Sequence, residues 1–138
     1  MTKEFWINLP VKDVKKSKIF FTDLGFSFNP HGGNGENSAC LLMGNKNIVV
    51  MLFEEPLFKG FTSNEITNTR QTTEVLLSFD AESRTEVDEI ARKVTAAGGA
   101  IVSGPGERQE WMYGFVFSDI DGHRWNVLHM DMTKMPKG

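Results

Sequence analysis

Hydrophobic and polar residues alternate from the start of the chain. Phe5, Ile7, Leu9 and Val11 fall on one side, and Trp6, Asn8 and Pro10 on the other, which is the two-residue period of a strand. Asp13 then offers a helix N-cap. Val14, Ser17, Phe20, Phe21 and Leu24 recur at helical spacing until Gly25 stops the run. Phe26–Asn29, Ser38–Met43 and Ile48–Phe53 read as three short strands. The turn cluster His31-Gly32-Gly33-Asn34-Gly35 separates the first two, and Gly44-Asn45-Lys46-Asn47 separates the last two.

Glu55–Thr72 breaks this rhythm. It is polar, holds isolated Phe58 and Phe61, and reads as a linker or flap. The pattern then returns. Thr73–Phe79 is strand-like, and Ser83 with Glu86 forms a capping box. Val87, Ile90, Ala91, Val94 and Ala97 make an amphipathic stripe over Arg84–Ala97 that Gly98-Gly99 ends. Ala100–Ser103, Met112–Ser118 and Arg124–Met130 supply three more strands, the last two joined by a turn at Asp121-Gly122. Strand, helix and three strands thus occur twice, with little residue identity between copies. Module one covers about 4–54, the linker 55–72, module two 73–130, and a disordered tail 131–138.

Composition narrows the function classes. The chain has 138 residues, 40% hydrophobic and 24% charged, the makeup of a globular domain whose run of elements suits a whole domain rather than a fragment. A net charge of −3 with no basic stripe speaks against a nucleic-acid partner. Lys12, Lys15, Lys16 and Lys18 cluster within one helical stretch and read as a solvated face. No run approaches the ~20 apolar residues that span a bilayer, so no membrane partner is expected. Lys3 and Glu4 lead directly into strand-like sequence, without a signal-peptide pattern, and Cys40 is the only cysteine. Both point to a reducing, cytoplasmic setting.

Three segments carry a resemblance. Leu9-Pro10-Val11-Lys12-Asp13 with Ser17, Phe20-Phe21 and Leu24-Gly25-Phe26 resembles the opening of the vicinal oxygen chelate superfamily, which holds glyoxalase I, fosfomycin and bleomycin resistance proteins and extradiol dioxygenases. Phe117-Ser118-Asp119-Ile120-Asp121-Gly122-His123-Arg124-Trp125-Asn126 is similar to its closing motif. Trp111-Met112-Tyr113-Gly114 sits where members often carry an aromatic-glycine step. The resemblance spans about residues 4–130 and implies an α+β fold of two βαβββ modules pairing into a curved mixed sheet that forms a cup. It also implies a small-molecule ligand in that cup and a homodimer. One fold of this kind hosts many chemistries.

Metal-dependent members bind a divalent ion through His, Glu or Gln. By the same resemblance, those positions fall here on Trp6, Met51, Glu74 and Asn126, with Glu54 or Glu55 entering if the second slips. An indole N–H has no lone pair to offer, a thioether is soft, and an amide oxygen is a weak donor. No metal and no other cofactor is therefore expected. His31, His123 and His129 are far apart in the chain and show no ligand spacing.

Alternation also says which residues should share the concave face. Trp6 brings Asn8, Met51 brings Val49 and Phe53, Glu74 brings Leu76, and Asn126 brings Leu128. Trp111, Tyr113 and Phe115 complete the expected ligand-binding set of Trp6, Asn8, Met51, Phe53, Trp111, Tyr113, Phe115 and Asn126. The function expected is metal-free binding of a small aromatic or cationic molecule. The alternative is a lyase, isomerase or dioxygenase-type enzyme of the same superfamily, either metal-dependent or with Glu74 as catalytic base beside a carbonyl.

Overall fold

The computed structural model describes residues 1–136. It divides into two compact units, residues 1–68 and the remainder from 69. Each is a βαβββ module, so the architecture is α+β.

In the first module β1 (Ile7–Val11) leads into α1 (Val14–Asp23), then β2 (Ser27–Phe28), β3 (Ser38–Met43) and β4 (Ile48–Glu54). The sheet order is β1-β4-β3-β2, with β1 parallel to β4 and the other pairs antiparallel. Asp13 caps α1, its carboxylate accepting from the Lys15 and Lys16 amides at 2.9 and 3.3 Å. Gly25, at φ +101°, ends the helix as expected. One face of the sheet is buried: Leu9, Val11, Ala39, Leu41, Val50 and Leu52 pack with Val14, Phe20 and Phe21 of α1. The opposite face is left open.

The second module repeats the order with β5 (Leu76–Asp80), α3 (Arg84–Ala97), β6 (Ala100–Gln109), β7 (Met112–Ser118) and β8 (Arg124–Met130), in sheet order β5-β8-β7-β6. Ser83 caps α3 by accepting from the Glu86 amide at 3.0 Å, and the Glu86 carboxylate turns back to accept from the Glu82 amide at 3.2 Å. Val87, Ala91 and Val94 of α3 meet Leu77, Phe115, Phe117, Trp125 and Val127. The Phe117 and Trp125 rings stack with centroids 6.3 Å apart. Gly114 lies where β7 runs close to β8, and a Cβ there would collide with the Val127 carbonyl oxygen.

Three expectations change. Glu55–Thr62, read as linker, forms a short helix, α2, with Pro56 in its first turn. Its Phe61 ring stands edge-on to Phe53, with centroids 5.1 Å apart. Strand β6 continues past Ser103 to Gln109, through three register shifts and a cis Gly104-Pro105 bond. Within the expected tail, Met132–Lys134 forms a 3-10 turn whose N-cap is Asp131, while residues 137 and 138 lie outside the described residues.

Candidate functional site

The open face of the first sheet carries the residues that alternation assigned to it. Strand register sets Met51 between Asn8 and Cys40, and Phe53 between Pro10 and Ser38. Trp6 precedes β1 on the same side: its indole Nε1–H donates to Asn8 Oδ1 at 3.1 Å, and its ring stays 51% exposed. Trp6, Val49, Met51 and Phe53 line an open groove of about 590 Å³, with Lys3 and Lys46 among the charged residues at its rim.

The turn between β2 and β3 closes one side of this face. Asn34 Oδ1 accepts from the Cys40 amide at 3.0 Å, and Gly33 adopts φ +77° directly above Cys40. A Cβ on Gly33 would come within 2.7 Å of Cys40 Cβ, so only glycine lets the turn lie this low. The approach buries Cys40 and leaves Met51 half-buried, with the groove floor beside it.

The open face of the second sheet is polar where the first is aromatic. Register sets Leu76 beside Arg124 and Ser78 beside Asn126 on one flank, and Ser118 and Val116 beside the same two residues on the other. Asn126 Nδ2 donates to Ser78 Oγ at 3.2 Å. Asn126 Oδ1 and Arg124 Nε are both shielded from solvent and have no hydrogen-bond partner. Arg124 and Ser78 were not singled out in the sequence. Their signal was available, since both share the two-residue phase of Asn126 and Leu76.

Two expected site residues belong elsewhere. Phe115 is fully buried among Phe117 and Val127 on the helix-covered face. Tyr113 shares that phase: its hydroxyl donates to Asp88 Oδ1 of α3 at 2.7 Å, and the Arg84 guanidinium lies over its ring at 5.0 Å. The Asp88 hydrogen bond, followed by burial, raises the Tyr113 pKa above its ordinary value. Neither side chain can serve the open face of its own sheet. Trp111 sits at the β6–β7 turn, with Nε1 donating to Gln109 Oε1 at 2.8 Å. Glu74 is exposed and lies two residues before β5 begins at Leu76, because β8 starts at Arg124 and offers no partner further back. A carboxylate in that position lacks the apolar wall that an internal base was expected to have.

Two of the four positions that the resemblance assigns to a metal, Trp6 and Met51, hold side chains poorly suited to a hard divalent ion. Trp6 presents only an N–H, already donated to Asn8. Met51 presents a thioether, which suits neither Mg²⁺ nor Mn²⁺. Glu54 is engaged at the start of α1, its Oε2 accepting from the Val14 amide at 3.1 Å. Among the described residues no group of three or more His, Cys, Asp or Glu side chains is gathered to hold an ion.

The closing motif has a structural task. Asp119 is buried and accepts from the Asp121 and His123 amides at 2.9 and 3.0 Å and from Trp125 Nε1 at 2.9 Å. Burial raises its pKa, outweighing the opposing pull of His123 and these hydrogen bonds.

Comparison with known proteins agrees with this architecture. A family model described as the Glyoxalase/Bleomycin resistance protein/Dioxygenase superfamily matches residues 5–127. The hypothetical protein SA1046 from S. aureus has a similar structure, with TM-score 0.82 and 34% identity, covering 93% of this chain and 94% of that one. A glyoxalase/bleomycin resistance protein/dioxygenase family enzyme from Burkholderia phytofirmans PsJN follows at TM-score 0.75 and 17% identity, covering 91% and 97%. The fosfomycin resistance protein FosX from Listeria monocytogenes reaches TM-score 0.66 at 16% identity, covering 100% and 96%, which is a likeness of fold. No curated protein matches the chain. No helix among the described residues is long and apolar enough to cross a membrane.

Proposed function

The chain belongs to the Glyoxalase/Bleomycin resistance protein/Dioxygenase superfamily, and on that footing we propose that it binds a small aromatic or cationic molecule without a metal, against the open face of the first sheet. The observation that carries this reading is the exposed Trp6 ring beside Met51 and Phe53 in one groove. A large aromatic side chain left half in water at the edge of an apolar floor supports stacking with a flat ligand or attraction of a cation to its face. Phe61 of α2, 62% exposed and edge-on to Phe53, extends the same surface.

We further propose that the protein works as a homodimer. Each sheet ends in two edge strands, β1 and β2 in one and β5 and β6 in the other, and open edges favour association. Light scattering should give twice the chain mass at micromolar concentration; the mass of one chain would remove this part.

The function is tested by a thermal-shift screen of aromatic antibiotics, thiol conjugates and divalent metals. An aromatic compound should raise the melting temperature of the wild type. At a concentration ~100-fold above its Kd the gain is about 2.7 kcal/mol. Trp6→Ala should lose most of that gain while melting at the wild-type temperature without ligand. A shift produced by a metal and untouched by Trp6→Ala would overturn the proposal in favour of the metal-dependent enzyme. Turnover of a carbonyl compound lost in Glu74→Gln would favour the metal-free one.

A further inference from the structure

The groove on the first sheet has two unlike ends. Along β4 and the turn before it, the alternate residues Asn47, Val49, Met51 and Phe53 line it. Met51 and Phe53 give one end an apolar floor, and Trp6 stands beside them at half exposure. Further back the lining changes character. Lys3 and Glu4 precede Trp6, and Lys46 and Asn47 precede β4. At ~3.3 Å per residue, Asn47 lies about 13 Å from Met51 along the chain.

The charged end is short of partners. Among the described residues neither Lys3 nor Lys46 joins an ion pair. Two lysines against Glu4 leave this end with one positive charge in excess at neutral pH, although the whole chain carries −3. Asn47 adds an uncharged donor. It sits at φ +50°, a left-handed conformation that asparagine tolerates, and its backbone N–H donates to the Gly44 carbonyl at 3.1 Å. That tight turn closes the groove with Lys46 and Asn47 where a longer strand would have carried it on. An anion entering here meets two opposite charges and one like charge, and a cation meets the reverse.

We propose that the ligand of this groove is an aryl-substituted carboxylate, a flat ring joined by a short arm to an anionic group. This inference rests on the aromatic groove proposed above and narrows what it takes. The ring lies against Trp6, Met51 and Phe53, and the carboxylate turns towards Lys3, Lys46 and Asn47, which set the specificity. A groove of about 590 Å³ suits one such molecule. Exposed lysines attract an anion weakly and salt screens them, so the apolar floor supplies most of the affinity and the charged end chooses among flat ligands.

Indole-3-acetate, indole-3-acetamide and tryptamine test this, because they share one ring and one arm length and differ in charge. Isothermal titration of the full chain at ~20 mM salt should rank them in that order, with the acetate about fivefold tighter than the acetamide. The gap should close at ~500 mM salt. Lys3→Gln combined with Lys46→Gln should bring the acetate to the affinity of the acetamide and leave the acetamide unchanged. Glu4→Gln should strengthen the acetate. All three side chains are exposed, so these variants should melt at the wild-type temperature. Trp6→Ala should weaken all three compounds alike. The inference is overturned if tryptamine binds tightest, or if the preference for the acetate survives the double lysine substitution. If the three compounds bind equally and Trp6→Ala weakens them all, the aromatic groove stands and its anionic end falls. If Trp6→Ala leaves their binding unchanged, or none binds at ~5 mM, a generous range for ligands of this size, the groove itself falls with it.

Discussion

The two modules share one topology but divide their aromatic residues in opposite ways. In the first, α1 supplies the bulk of the core through Phe20 and Phe21, whose rings meet edge-on at 5.1 Å, and the sheet answers with Leu9, Ala39, Leu41, Val50 and Leu52. In the second, the sheet supplies Phe79, Phe115, Phe117 and Trp125, and α3 answers with Val87, Ala91 and Val94. A helix and a sheet enclose a layer of limited thickness, so large side chains on one require small ones on the other. The consequence falls on the open faces. The first sheet holds Trp6 and Phe53 there, and the second holds Ser78, Arg124 and Asn126. The same fold thus offers an aromatic surface in one copy and a polar one in the other.

The strongest break of this comparison is truncation of equivalent rings on opposite faces. Phe117→Ala removes a fully buried ring stacked on Trp125 and should lower stability by about 3–5 kcal/mol. Trp6→Ala removes a larger ring that is half exposed, and should change stability by no more than ~0.5 kcal/mol. Urea denaturation of the two variants checks both values. Losses of similar size would mean that the open face of the first sheet is core rather than site.

Asp119 gives a smaller effect with a pH signature. Asp119→Ala leaves the Trp125 indole N–H and the two turn amides without their acceptor and should cost about 3 kcal/mol. Burial raises the folded-state pKa above the ordinary 3.8, so the folded state binds the proton more tightly than the unfolded chain does. Stability from this group is therefore complete below about pH 4 and declines as pH rises through the raised value. The stability difference between wild type and Asp119→Asn should be widest at low pH and narrow as pH rises. A difference that widens with pH would show that the hydrogen bonds dominate and that the carboxyl titrates low. The first module has no counterpart to this buried acid in its last turn, where Gly44 to Asn47 connect β3 and β4.

Much of this was legible from the chain. The limits of β3, α3, β7 and β8 follow directly from hydrophobic phase and caps, and the membership of Trp6, Asn8, Met51 and Phe53 in one face follows from alternation along two strands in register. Tyr113 and Phe115 were expected on the open face because β7 was read in the opposite phase. The more hydrophobic set, Tyr113, Phe115 and Phe117, takes the covered face, and the set with Gly114 and Ser118 takes the open one. The start of β5 depends on where its partner β8 begins, and the extension of β6 through Gly104, Pro105 and Gly106 depends on the pairing β7 offers, so neither is local information. Helix α2 was hidden by the polar stretch around it, although Pro56 followed by Leu57, Phe58 and Phe61 has the start signal and spacing of a short amphipathic helix. The orphaned atoms of Arg124 and Asn126 emerge only from side-chain geometry.

The smallest effect compares two surface ion pairs, one from each module. Lys59 Nζ lies 3.1 Å from Glu65 Oε2, with the glutamate almost wholly in water, and Arg84 Nη2 lies 2.8 Å from Glu107 Oε1, both about half exposed. Solvent screening leaves pairs of this kind worth little, and Lys59→Ala should change stability by less than ~0.5 kcal/mol. Arg84 differs because its guanidinium also covers the Tyr113 ring at 5.0 Å. Its planar group packs as well as pairs, and the contact adds about 0.5–1 kcal/mol that salt does not screen as it screens the pair. Arg84→Ala should therefore cost about 1 kcal/mol, and roughly half of that should persist at ~1 M NaCl, where the Debye length has fallen to about 3 Å. Melting curves of both variants with and without salt make the distinction. If the Arg84→Ala deficit vanishes in salt, the guanidinium acts only through Glu107, and the contact with Tyr113 contributes nothing to the second module.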